Sequence, residues 1–176
     1  MHQLLATSRK MERPGVRPLY TPTERKRRDE TPWTLVQGVL APVQFLAFVV
    51  SLALVLRFLA TGHGEHAATL SVVVKTLTLY TIMVTGCIWE KVVFGKYLFA
   101  PAFFWEDVFS MLVLALHSAY LGALVTGLLA PRELMLLALA AYAAYLINAA
   151  QFILKLRAAR LQQAQQSDAS VLGTAT

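Results

Sequence analysis

The sequence predicts an all-α membrane protein: a four-transmembrane-helix bundle with basic cytoplasmic N- and C-terminal tails. Three observations lead there. Of 176 residues, 57% are hydrophobic, against roughly 45–50% apolar for an ordinary soluble domain. The excess is gathered into four blocks, each near the length of about 20 residues that crosses a bilayer. The net charge of +6 is placed outside the blocks. Arg9, Lys10, Arg13, Arg17, Arg25, Lys26, Arg27 and Arg28 precede the first, and Lys155, Arg157 and Arg160 follow the last. Arg25-Lys26-Arg27-Arg28 has the composition of a nucleic-acid patch. Its place just before a span assigns it to topology and to anionic lipid instead, so no nucleic-acid partner is expected.

The elements follow in order. Residues 1–31 read as a basic, proline-bearing cytoplasmic tail. Thr21-Pro22-Thr23-Glu24 is a helix-start signal inside it, with Thr21 as cap and Pro22 first in the helix. Thr31-Pro32-Trp33 repeats that signal before the first span, residues 34–60, in which Pro42 suggests a kink. Residues 61–66 make a short polar turn. His63, Glu65 and His66 resemble metal ligands in type, but the further ligands of a closed site are missing nearby.

The second span covers residues 67–89 and contains Lys75, which either snorkels or pairs with a neighbouring helix. The third covers residues 103–129, with Glu106 and Asp107 near its start and His117 near its middle. The fourth, residues 134–154, is rich in alanine, which suits close packing. Asn148 and Gln151 near its end are candidates for hydrogen bonds between helices. The domain division is therefore a tail over 1–31, a membrane domain over 32–156, and a cytoplasmic tail over 157–176. That last tail reads as helical at first and then disordered. Single Cys87 excludes an intrachain disulfide, and no signal peptide is evident.

Chemistry is expected at the join between the second and third spans. Residues 88–107 carry three carboxylates among seven aromatics. Carboxylates just inside a span are costly and mark function. Glu106 and His117 are eleven residues apart, which returns a helix to nearly the same face after about 16 Å of rise. Ser110 and Val113 lie between them on that face. Glu90, Gly86, Met83 and Leu79 form an equivalent stripe on the second span. If the stripes face each other they wall a cleft suited to a planar macrocycle, with Gly86 thinning one wall. Each residue also has a plainer reading. Glu90 can pair with Lys91 or Lys96. Glu106 and Asp107 can serve the helix dipole, and since they point roughly 100° apart only one easily faces a given pocket. The aromatics, Trp105 among them, can form an interfacial belt. No phosphate loop, zinc spacing, nucleophile elbow or dinucleotide fingerprint is present. That leaves acid–base chemistry on a lipid-soluble substrate, or binding alone.

Two stretches carry a resemblance. One runs from Leu19-Tyr20-Thr21-Pro22 through Thr31-Pro32-Trp33-Thr34-Leu35-Val36-Gln37-Gly38-Val39-Leu40-Ala41-Pro42. The other runs from Ile88-Trp89-Glu90-Lys91 to Phe103-Phe104-Trp105-Glu106-Asp107-Val108-Phe109-Ser110. Together they resemble the membrane-bound vinyl bacteriochlorophyllide hydratases of bacteriochlorophyll a synthesis. The resemblance implies a hydro-lyase that adds water to the C3 vinyl group of a chlorophyllide-type macrocycle, giving a 1-hydroxyethyl group. It also implies a bacterial inner-membrane location, a magnesium tetrapyrrole as substrate, lipid contact, and contact with other enzymes of the same synthesis.

Hydration of a vinyl group needs an acid for the terminal carbon and a base for the attacking water, with no cofactor. From this sequence, Glu106 reads as the acid and Glu90 or Asp107 as the base. His117 reads as an axial ligand to the substrate magnesium or as the base. Ser110 and Trp105 read as substrate contacts, and Lys91 and Lys96 as partners for a ring propionate. The competing reading is a non-catalytic pigment-binding or photosystem assembly protein using the same cleft. A small transporter ranks behind both, because the paired broken helices of such folds are missing.

Overall fold

A computed structural model describes residues 19–174, so the expectations for residues 1–18 lie outside the described residues. The helices are α1 (Pro22–Glu30), α2 (Pro32–Thr61), α3 (Glu65–Phe94), α4 (Phe104–Thr126) and α5 (Pro131–Thr174). No strand occurs among the described residues. Four of the helices are long and apolar enough to cross a membrane: α2, α3, α4 and α5 as far as Leu161. The chain is an integral membrane protein with an all-helical bundle.

Both proline-marked helix starts form as the sequence dictates. Thr21 caps α1 through a reciprocal box with Glu24, and Pro22 occupies the first turn, where no amide hydrogen is needed. Thr31 accepts from the Trp33 amide at 3.4 Å and opens α2 in the same way. Helix α2 continues through Pro42 without a break. The remaining boundaries fall within a few residues of expectation. The exception is α5, which continues to Thr174 rather than ending in a disordered tail. Its extension is Ala-, Gln-, Arg- and Leu-rich, all good helix formers, with no glycine or proline until Gly173.

The bundle is two antiparallel hairpins. In the first, α2 turns into α3 through Gly62-His63-Gly64, where Gly62 at φ 72° donates its amide to Phe58. His63 is exposed there and its ring bonds the Thr61 carbonyl. The second hairpin joins α4 to α5 across Gly127. The core forms where the hairpins meet. Phe48, Val55, Val72, Tyr120, Met135 and Tyr142 fill the end away from the α3–α4 join. Leu79 and Val113 meet with Ala144 at the middle. The outward faces stay apolar, with Leu35, Leu46, Leu70 and Val125 all well exposed, as a lipid-facing surface requires.

Candidate active site

The α3–α4 join brings the three carboxylates together. Glu90 lies in the last turns of α3 and Asp107 in the first turn of α4; between them the chain reverses over residues 95–103. Gly95 starts the reversal at φ 81°, closing α3 with a bond from its amide to Lys91. Phe99 then adopts φ 59°, a left-handed conformation costly for an aromatic residue, of the order of 1–2 kcal/mol. This aims two consecutive amides inward. The Phe99 N–H donates to Asp107 Oδ2 at 2.7 Å, and the Ala100 N–H donates to Glu90 Oε1 at 2.7 Å. Glu90 and Asp107 are 4% and 7% exposed, and the two consecutive amides hold their carboxyl groups side by side. Backbone strain that converges donors on buried acids is a pattern found at functional sites.

Glu106 is 7% exposed but faces another way. Its Oε2 meets Lys155 Nζ at 2.6 Å, and that ammonium also sits 5.0 Å from the centre of the Phe103 ring. The 100° separation of adjacent helix positions accounts for this: Asp107 serves the α3 side and Glu106 the α5 side. Glu90 pairs with neither Lys91 nor Lys96. Lys91 donates to the Gly95 carbonyl and lies 5.1 Å from the Tyr97 ring centre, while Lys96 is exposed.

The Glu106–Ser110–Val113–His117 stripe is buried along its whole length, as its spacing predicts. Ser110 accepts from Asn148 Nδ2 at 2.9 Å. Leu79 of α3 and Val113 of α4 share one core cluster with Ala144 of α5, so the two stripes come together at that level. Gly86 does not thin that wall. A side chain there would point at Gln37 of α2, 3.8 Å away. His117 is fully buried, and both ring nitrogens are engaged. Nδ1 lies 2.8 Å from the Val113 carbonyl and Nε2 lies 2.9 Å from Lys75 Nζ. That leaves no open nitrogen for axial ligation in this arrangement. Trp105 is 67% exposed, beside Phe104, and forms with Tyr97 and Phe99 an aromatic rim around the join. Trp89 is not part of such a rim. It packs on Phe94 and Phe103 and donates to Thr34 at 2.9 Å.

Two participants are not evident from the sequence. Lys155 reads there as one of several topogenic charges. The signal for its inward role is the spacing Asn148–Gln151–Lys155, which places it on the polar stripe of α5. Lys75 has an interior place legible from its span, but its partner His117 lies 42 residues away.

The fold and these groups define a class: an integral membrane helical bundle with three buried carboxylates gathered at one end. The chain belongs to the 2-vinyl bacteriochlorophyllide hydratase family, whose profile matches residues 20–158. It is 67% identical over 162 residues to the 2-vinyl bacteriochlorophyllide hydratase of Rhodobacter capsulatus, covering 92% of this chain and 93% of the relative. It is 68% identical over 146 residues to the protein of the same name from Cereibacter sphaeroides, covering 82% and 90%. No solved structure matches the chain.

Proposed function

We propose that this protein is a hydro-lyase that adds water to the vinyl group of a bacteriochlorophyllide, by acid–base catalysis at Glu90, Asp107 and Glu106. The observation that carries the chemistry is the burial of three carboxylates at one end of a membrane bundle, two of them bound by consecutive backbone amides. Two buried carboxyl groups held side by side do not readily ionise together, which assigns the acid to the Glu90–Asp107 pair. The role expected for Glu106 changes: bound to the Lys155 ammonium, it is the carboxylate, suited to accept a proton.

The reaction balances without a cofactor. A proton from this pair passes to the terminal vinyl carbon as the C=C π bond breaks. Positive charge develops on the ring-attached carbon and spreads into the macrocycle, where the Glu106 carboxylate stabilises it. Water oxygen bonds to that carbon and releases a proton to Glu106. Proton exchange between the carboxyl groups restores the start. The flat ring rests against the rim of Tyr97, Phe99, Phe104 and Trp105, with Lys91 and Lys96 beside it for an anionic ring substituent. His117 acts through structure, holding Lys75, rather than by ligation.

The protein sits in the bacterial inner membrane with both termini and the α3–α4 join on the cytoplasmic side, the arrangement favoured by its basic flanks. Other enzymes of bacteriochlorophyll synthesis supply and remove its pigments.

Replacing Glu106 by Gln tests the reading. The variant should insert normally and lose hydration by about 10²–10⁴-fold, the usual range for a general base. Full turnover, followed by pigment absorption and mass, removes Glu106 from the mechanism.

A further inference from the structure

Beneath the Glu106–Lys155 pair the bundle interior contains polar groups that the acid–base scheme does not use. On α5, Asn148 and Gln151 follow Lys155 down the same face, one turn apart, and Asn148 reaches Ser110 on α4. On α2, Gln44 is 2% exposed, so it faces inward. Its level follows from the antiparallel register of α2 and α5. Ser51 bonds Tyr142, and Phe48 packs on Tyr145 at 5.0 Å. One turn further toward the carboxylates, Gln44 comes level with Asn148. Leu79, Val113 and Ala144 form an apolar cluster beside this layer. Below that, Lys75 Nζ lies 4.1 Å from the Tyr145 ring centre and bonds His117.

Among the described residues, four buried amide atoms of this region have no hydrogen-bond partner: both of Gln44, Asn148 Oδ1 and Gln151 Oε1. Leaving such an atom bare costs about 1–3 kcal/mol. Three residues on two helices carrying that cost within one turn of each other point to a ligand. Neutral amides do not select an ion, and an apolar group would leave them unpaired. What satisfies them is a small molecule that donates and accepts at once.

We infer that Gln44, Asn148 and Gln151 hold the water consumed in the reaction, delivering it from beneath Glu106. The inference rests on the hydratase reading for the use of that water, though not for its binding. The acids are buried from bulk water, so a fixed supply on the base side serves the reaction. The oxygen of this water bonds to the ring-attached carbon, one of its protons passes to Glu106, and the other remains as the hydroxyl hydrogen. Gln44 is a positioning residue in this scheme.

The test has two arms, run on the full chain in lipid. In the first, side-chain amides are ¹⁵N-labelled at glutamine, and magnetisation transfer from water is recorded by solid-state NMR. The Gln44 signal is identified by its loss in Gln44→Leu. Rapid transfer from water to the Gln44 amide is expected; absence of transfer overturns the inference, whatever the protein's activity. In the second arm, Gln44→Leu should lower kcat about 100-fold with KM for the vinyl pigment unchanged. Wild-type turnover in that variant overturns the delivery role. Gln44→Met, a flexible side chain of similar length, serves both arms if the leucine variant does not fold. If the wild-type protein shows no hydration at all, the hydratase reading fails, while the NMR arm still decides whether water is bound.

Discussion

At the residue scale, the fully buried Lys75 and His117 are the most exacting pair in the molecule. A lysine inside a membrane bundle is tolerated only where its Nζ hydrogens find acceptors, and here they find an imidazole and an aromatic face. His117→Ala leaves that Nζ without its acceptor and should destabilise the bundle by about 1–3 kcal/mol. Adding Lys75→Met should return much of the loss, because the apolar pair needs no partner. Unfolding in mixed detergent micelles checks this. Strictly additive single-variant effects would mean the two side chains do not interact. Were His117 an axial ligand, His117→Ala would instead weaken pigment binding and leave stability intact.

At the element scale, the α3–α4 join is held by backbone conformation as much as by side chains. Gly95 has φ 81°, and a methyl group there would meet nothing within 4 Å. The cost of Gly95→Ala is therefore conformational, about 1–2 kcal/mol, and thermal unfolding should register it. Activity should fall further than stability, because the join aims the Phe99 and Ala100 amides at the acids. Stability loss with full activity would separate the join from the site. The helices themselves were legible in the sequence. Thr21-Pro22 and Thr31-Pro32 announce two starts, and apolar length announces four spans. The inward stripe of Glu106, Ser110 and His117 was legible from spacing alone. Neighbours were not: periodicity gives the face of a helix but not the helix it meets. Glu106 finds Lys155 across 49 residues, and Gly86 faces Gln37 rather than the α4 stripe. Phe99 in a left-handed conformation has no sequence signal either, since that conformation is usually left to glycine or asparagine.

At the scale of the whole molecule, two hairpins meet on an apolar core that also buries polar groups, and the proposed topology puts α1 and the α3–α4 join on the cytoplasmic side. Single cysteines in a Cys87→Ser background test the orientation. Cysteine at Thr23 or Lys96 should be shielded from an impermeant thiol reagent in intact cells, whereas cysteine at His63 or Leu128 should react. The opposite pattern would invert the protein and place the carboxylates at the outer surface. The non-catalytic alternative is also decided at this scale, because a carrier releases the pigment it received and a hydratase changes it.

The most direct measurement supplies vinyl bacteriochlorophyllide to membranes containing only this protein, in water labelled with heavy oxygen. It compares the wild type with the double variant Glu90→Gln, Asp107→Asn. The expected result is hydroxyethyl pigment carrying one labelled oxygen from the wild type, and unaltered vinyl pigment from the variant. Labelled product formed equally well by both would contradict acid–base catalysis by the buried carboxylates. Vinyl pigment recovered unchanged and stoichiometrically bound from the wild type would contradict hydration itself.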